Sequence, residues 1–82
     1  MKEYQVYILR SLKHGRYYTG MSSDVTNREY FHNQGLNTST ANGIPWQRLW
    51  CSEIMSKSEA LSLEKKIKKR GAERFLNDIN AI

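Results

Sequence analysis

Two runs of β-branched and aromatic residues, Gln5–Arg10 and Tyr17–Met21, flank the turn-forming stretch Lys13-His14-Gly15-Arg16. Side chains in such runs alternate between two faces, and a short glycine-bearing link between them predicts a β-hairpin. That hairpin constrains everything after it, because the chain has only 82 residues. A protein of this size buries roughly 60% of its unfolded surface. One modest core is all it can build, so the expectation is a single domain over residues 1–82.

The remaining elements read off in order. Ser22-Ser23-Asp24 supplies helix-capping side chains, and a helix is expected from there to Gln34, stopped by Gly35. Gly35–Pro45 has no hydrophobic period and reads as a loop, and Trp46–Ile54 reads as a third strand. Ser56 and Glu59 have capping-box spacing. Ala60, Leu63 and Ile67 then recur at helical intervals until Gly71. A short last helix over Ala72–Ile79 is expected to pack through Phe75, Leu76 and Ile79. The predicted fold is an α/β (α+β) sandwich of order β-β-α-β-α-α, with a three-stranded, mainly antiparallel sheet flanked by helices.

Apolar residues make up 39% of the chain and charged ones 26%, an ordinary globular balance. No apolar run approaches the roughly 20 residues of a membrane span, and no signal peptide opens the chain. The expected location is the cytoplasm. Cys51 is the one cysteine, so neither an internal disulfide nor a zinc cluster of cysteines can form, and its apolar neighbours point to packing. The net charge of +5 is uneven. Lys65, Lys66, Lys68, Lys69 and Arg70 form a dense run on the second long helix, which suits a polyanion such as nucleic acid. The same run also suits a solvated helix end favoured by the helix dipole.

Several residues carry chemical possibilities. Glu64 borders the apolar stripe of its helix, where a carboxylate needs a partner. That partner is either a cation such as Arg28 or a lysine, or a hard divalent ion. Mg²⁺ or Mn²⁺ binds through one or two carboxylates, waters and substrate phosphates. Arg28 and His32 lie four residues apart and face the same way. A guanidinium grips phosphate with two hydrogen bonds, and a neutral imidazole holds or deprotonates water. Tyr7 and Tyr18 sit in neighbouring strands on faces that alternation can align, while Tyr17 falls on the opposite face from Tyr18. Read alone, both strand tyrosines are half-buried packing residues.

Taken together, Val6-Tyr7-Ile8, Tyr18-Thr19-Gly20, Arg28, His32 and the stretch Ala60–Lys68 around Glu64 resemble the GIY-YIG nuclease superfamily. The resemblance runs from about Tyr4 to Arg70, and is to short stand-alone bacterial proteins made of little beyond this domain, which resemble the amino-terminal cutting domain of the bacterial excision-repair endonuclease without its other domains. It implies a metal-dependent endonuclease acting on nucleic acid, DNA in the first instance, with a role in repair or in processing branched structures. It implies Tyr7 as general base or water-positioner, Tyr18 beside the phosphate, Arg28 as phosphate clamp, His32 as helper and Glu64 as the ligand for Mg²⁺ or Mn²⁺. Lys65, Lys66, Lys68, Lys69 and Arg70 would draw in the backbone.

The chain departs from the pattern in places. The first tripeptide lacks the glycine, threonine replaces isoleucine in the second, Glu29 stands at a helix position that is often leucine, and Met21 stands where relatives often have lysine. A rival expectation is therefore a nucleic-acid-binding module with weak or no cleavage. A third is a scaffold that works through a partner, with the loop Leu36–Trp46, including Ile44-Pro45-Trp46, as its candidate apolar patch.

Overall fold

The computed structural model describes residues 2–82. The opening hairpin pairs β1 (Lys2–Ser11) with β2 (Tyr17–Ser22), and α1 (Val25–Asn33) follows. After a single 3₁₀ turn at Ala41–Gly43 come β3 (Trp46–Cys51), β4 (Met55–Ser56), α2 (Lys57–Arg70) and α3 (Ala72–Asp78). The strands are antiparallel, in the order β2-β1-β3, and β4 pairs with the start of β1. The expected α/β sandwich is present, with one strand more than the sequence announced.

That extra strand has a local cause. The third strand was expected to run to Ile54, but it ends at Cys51 because Ser52 ties the chain to β1. The Val6 N–H donates to Ser52 Oγ at 2.9 Å, and the Ser52 N–H donates to the Val6 carbonyl at 2.8 Å. The chain bends there, leaves Ile54 exposed, and returns as Met55–Ser56 beside Tyr4 and Lys2. This pairing is why β1 starts earlier than Gln5.

Alternation splits the sheet into two faces. Val6 and Ile8 point to one side, where Ala60 and Ile67 of α2 and Leu76 of α3 close the main core. Each of these larger aliphatic side chains contributes about 1.5–3 kcal/mol by leaving water. Tyr17 and Met21 pack on the same side. Met21 is thus a packing residue, which accounts for an apolar side chain at that position. Phe75 meets Trp50 edge to face, but Ile79 is 42% exposed and lies past the end of α3, contrary to the packing expected of it. Cys51 is half-buried, with its sulfur accepting from the Gln5 amide.

The helix boundaries follow their caps. Asp24 accepts from the Asn27 N–H at 3.0 Å. Ser56 and Glu59 form the anticipated reciprocal box, at 3.2 and 3.0 Å. Gly71 ends α2 at φ +95°, a value that a side chain disfavours.

Candidate active site

The second face of the sheet carries Tyr7, Leu9, Tyr18 and Gly20, with α1 laid across it. In the β1–β2 ladder Tyr7 faces Gly20 and Leu9 faces Tyr18, so the two tyrosines are diagonal neighbours. Their rings stack at 6.3 Å. Gly20 leaves space for Tyr7: a Cβ there would lie 2.6 Å from the phenol oxygen and 2.8 Å from Cζ. The glycine therefore makes room for this chain's own phenol.

His32 descends from α1 into this face. Its ring is fully buried, 4.7 Å from the Tyr18 ring, and Nε2 lies 3.0 Å from the Tyr7 oxygen. The other ring nitrogen, Nδ1, lies 2.8 Å from Thr40 Oγ1. Burial is the main reason the His32 pKa falls below its ordinary value, and the nearby Arg28 charge adds to it. Burial also pushes the Tyr7 phenol well above the ordinary tyrosine value, with Tyr18 adding to the rise and Arg28 opposing it. Tyr7 thus holds its proton, and the His32 beside it is favoured in its neutral form.

Arg28, four residues before His32, is exposed and stacks over Phe31 at 5.2 Å. It takes part in no ion pair among the described residues. Its charge nonetheless reaches both Tyr7 and His32, which places it at the solvent edge of the same cluster.

Glu64 borders the buried stripe of α2 with 17% of its side chain exposed, and pairs with Lys68 at 3.5 Å. The cation opposite it is thus a neighbouring lysine and not Arg28. Its charge is also felt by Tyr7, as the weakest of the contributions there. Among the described residues no cluster of three or more His, Cys, Asp or Glu forms a protein cage for a metal. The donor set instead fits a hard divalent ion held by one carboxylate, with waters and phosphate oxygens completing the shell.

The basic run does not form one patch. At 3.6 residues per turn Lys68 lies on the Glu64 side, Lys65 about a quarter-turn away from it, and Lys66 on the opposite side of the helix. Lys66, Lys69, Arg70 and Arg74 line a separate groove of about 370 Å³. Arg70 is already gripped by both Asp78 oxygens, at 2.8 and 3.0 Å.

Sequence reasoning missed the segment after α1. The Asn33 side chain brackets the Trp46 backbone, accepting from its N–H at 2.6 Å and donating to its carbonyl at 3.0 Å. Ser11 Oγ donates to the Gly43 carbonyl at 2.6 Å, and the Trp46 indole N–H donates to the Thr40 carbonyl at 2.7 Å. Trp46 is buried and packs near Tyr18 and His14, so the indole of the expected Ile44-Pro45-Trp46 patch is turned inward, while Ile44 is half-buried and Pro45 and Leu36 are exposed. The serine and threonine content of this loop was visible in the sequence, but its partners lie too far along the chain to infer.

Comparison with curated proteins and with solved structures returned no match. Residues 3–77 match the GIY-YIG catalytic domain. With nearly its whole length matched and the two motif tyrosines stacked on one sheet face, this chain belongs to the GIY-YIG catalytic domain family, a nuclease-type fold.

Proposed function

We propose that this chain is a metal-dependent endonuclease that hydrolyses phosphodiester bonds in DNA, in repair or in processing of branched structures. On this reading it is a cytoplasmic, single-domain protein of bacterial type, similar to the cutting domain of the excision-repair endonuclease. The observation that carries the reading is the buried 3.0 Å contact between the Tyr7 hydroxyl and His32 Nε2, beside the Arg28 and Glu64 charges.

A phenol this far above its ordinary pKa is a poor base by itself. Coupled to a neutral imidazole it need not ionise. As water attacks phosphorus, the Tyr7 oxygen takes the water proton and passes its own to His32 Nε2. The new P–O bond forms as the bond to the leaving oxygen breaks, and the leaving oxygen collects a proton from solvent. The Arg28 guanidinium, exposed at the rim, binds the non-bridging oxygens where charge gathers. Tyr18, stacked on Tyr7 and His32, fixes the angle from which water approaches. Glu64 would hold Mg²⁺ or Mn²⁺, which when bound neutralises charge at the phosphate and at the leaving oxygen.

The test is a cleavage assay on labelled single-stranded, duplex, flap and branched DNA with Mg²⁺, Mn²⁺ or EDTA. Wild type, Tyr7→Phe and Glu64→Gln are compared after each is shown to be folded. Products made only by wild type, and only with metal, support the nuclease. No cleavage of any substrate, with binding unchanged in Glu64→Gln, would sink it and leave a nucleic-acid-binding module.

A further inference from the structure

Thr40 lies in the loop after α1, eight residues beyond His32, and its side chain is buried against the His32 ring. Three hydrogens must be placed among Tyr7, His32 and Thr40: one on the phenol, one on the neutral imidazole and one on the threonine hydroxyl. The contacts are Tyr7 oxygen to Nε2 at 3.0 Å, Nδ1 to Thr40 Oγ1 at 2.8 Å, and Thr40 Oγ1 to the Asn37 carbonyl at 3.3 Å. The Asn37 carbonyl can only accept.

Only one arrangement satisfies all three. With the imidazole hydrogen on Nδ1, Tyr7 donates to bare Nε2, Nδ1–H donates to Thr40, and Thr40 donates to Asn37. With the hydrogen on Nε2 instead, Nε2–H points at the Tyr7 oxygen. The phenol hydrogen then has no acceptor among the described residues, and Thr40 turns from Asn37 to Nδ1. An orphaned buried donor costs about 1–3 kcal/mol, enough to set the balance between tautomers that are otherwise close.

We propose that Thr40 is a positioning residue for the reaction: its hydroxyl accepts from His32 Nδ1–H and so keeps Nε2 bare to receive the Tyr7 proton. This inference rests on the nuclease reading for its catalytic meaning, but the tautomer stands on geometry alone. Thr40 is itself held firmly, since its carbonyl accepts from the Trp46 indole and its N–H donates to the Asn37 carbonyl at 3.1 Å. The loop thereby delivers one hydroxyl to the far side of the imidazole. Any role confined to filling space would be met equally by an isosteric side chain without a hydroxyl.

The decisive measurement is the ring ¹⁵N spectrum of His32 at a pH where the imidazole is neutral; His14 is the only other histidine to assign. Wild type and Thr40→Ser should carry the hydrogen on Nδ1, with Nε2 showing the unprotonated signature. Thr40→Val, which keeps the shape, should lose that preference and share the hydrogen between both nitrogens. Its kcat should fall about 10- to 100-fold with KM little changed, and Thr40→Ser should recover most of the rate. A wild-type ring protonated on Nε2 overturns the proposal, even if Thr40→Val proves too unstable to study. So does a Thr40→Val protein with wild-type tautomer and rate. If wild type cuts nothing while the tautomers behave as stated, the nuclease reading fails and the placement of His32 by Thr40 stands.

Discussion

Gly20 lies directly across the β1–β2 ladder from Tyr7, and the Tyr7 phenol occupies the space a side chain at position 20 would need. The motif glycine and the motif tyrosine are two halves of one steric arrangement. Gly20→Ala puts a methyl group 2.6 Å from the phenol oxygen and 2.8 Å from Cζ, distances that real Cβ contacts do not reach. The ring is confined by Tyr18 and His32, so it can yield only by giving up its hydrogen bond to Nε2. The expected cost is about 1–3 kcal/mol in denaturant unfolding, with loss of cleavage. Tyr7→Phe keeps the ring, so adding Gly20→Ala to it should still destabilise through Cζ. A Gly20→Ala protein with wild-type stability and activity would mean that the phenol does not sit where this geometry puts it.

Glu64 offers a sharper separation of structure from chemistry. Its Lys68 partner is 57% exposed, and an (i, i+4) pair of that kind is worth about 0.3–0.5 kcal/mol. Glu64→Gln should therefore leave the unfolding midpoint almost unmoved while removing metal-dependent turnover. Mn²⁺ binding, followed by paramagnetic relaxation in the presence of a non-cleavable phosphodiester, should weaken in the same variant. Intact turnover in folded Glu64→Gln would remove the metal from this position.

How much of this was written in the sequence depends on the range of each interaction. The hairpin, the Asp24 cap, the Ser56–Glu59 box and the Gly71 stop rest on contacts a few residues apart, and local chemistry shows them directly. The placing of Tyr7, Tyr18, Arg28, His32 and Glu64 drew on the resemblance, because nothing local brings a strand residue to a helix residue 25 positions away. Strand β4 and the bend at Ser52 depend on pairing with β1 across 46 residues or more, and no hydrophobic period marks them. Thr40 was invisible for the same reason. A threonine in a polar loop looks solvated until Ser11, Asn33 and Trp46 fold that loop inward.

His32 gives a pH signature with a definite sign. Burial holds its folded pKa below the ordinary 6.5, so as pH falls through about 6.5 the unfolded chain binds the proton first. Stability must then drop with falling pH until the folded protein also protonates at the lower, folded value. Above about 6.5 the contribution is complete and the curve from this group is flat. Urea midpoints measured from about pH 7.5 down to pH 5 should fall for wild type, and the fall should shrink in His32→Gln. Equal slopes in the two proteins would mean that His32 is not held neutral. Cleavage should hold through that range and fall only at lower pH, around the depressed folded value, because only then is Nε2 protonated and unable to accept from Tyr7.

The divided cations on α2 lead to a last expectation. Each lysine that contacts a phosphate of duplex DNA lowers the log–log salt slope of binding by about 0.9 when removed. Lys68 pairs with Glu64 and Lys65 lies on the adjoining part of the same helix side, so Lys65→Ala/Lys68→Ala should flatten the slope by about two contacts and also lower the cleavage rate. Lys66 and Lys69 line the groove with Arg74, away from the reacting phosphate. Lys66→Ala/Lys69→Ala should flatten the slope as much while leaving kcat alone, since these side chains reach backbone that is not being cut. Arg70, already engaged by Asp78, should contribute less than either pair because freeing it means giving up two charged hydrogen bonds. Fluorescence anisotropy over a range of salt concentrations reads all three. An unchanged slope for Lys66→Ala/Lys69→Ala would make that groove a solvated helix face and confine the nucleic acid to the Glu64 side of α2.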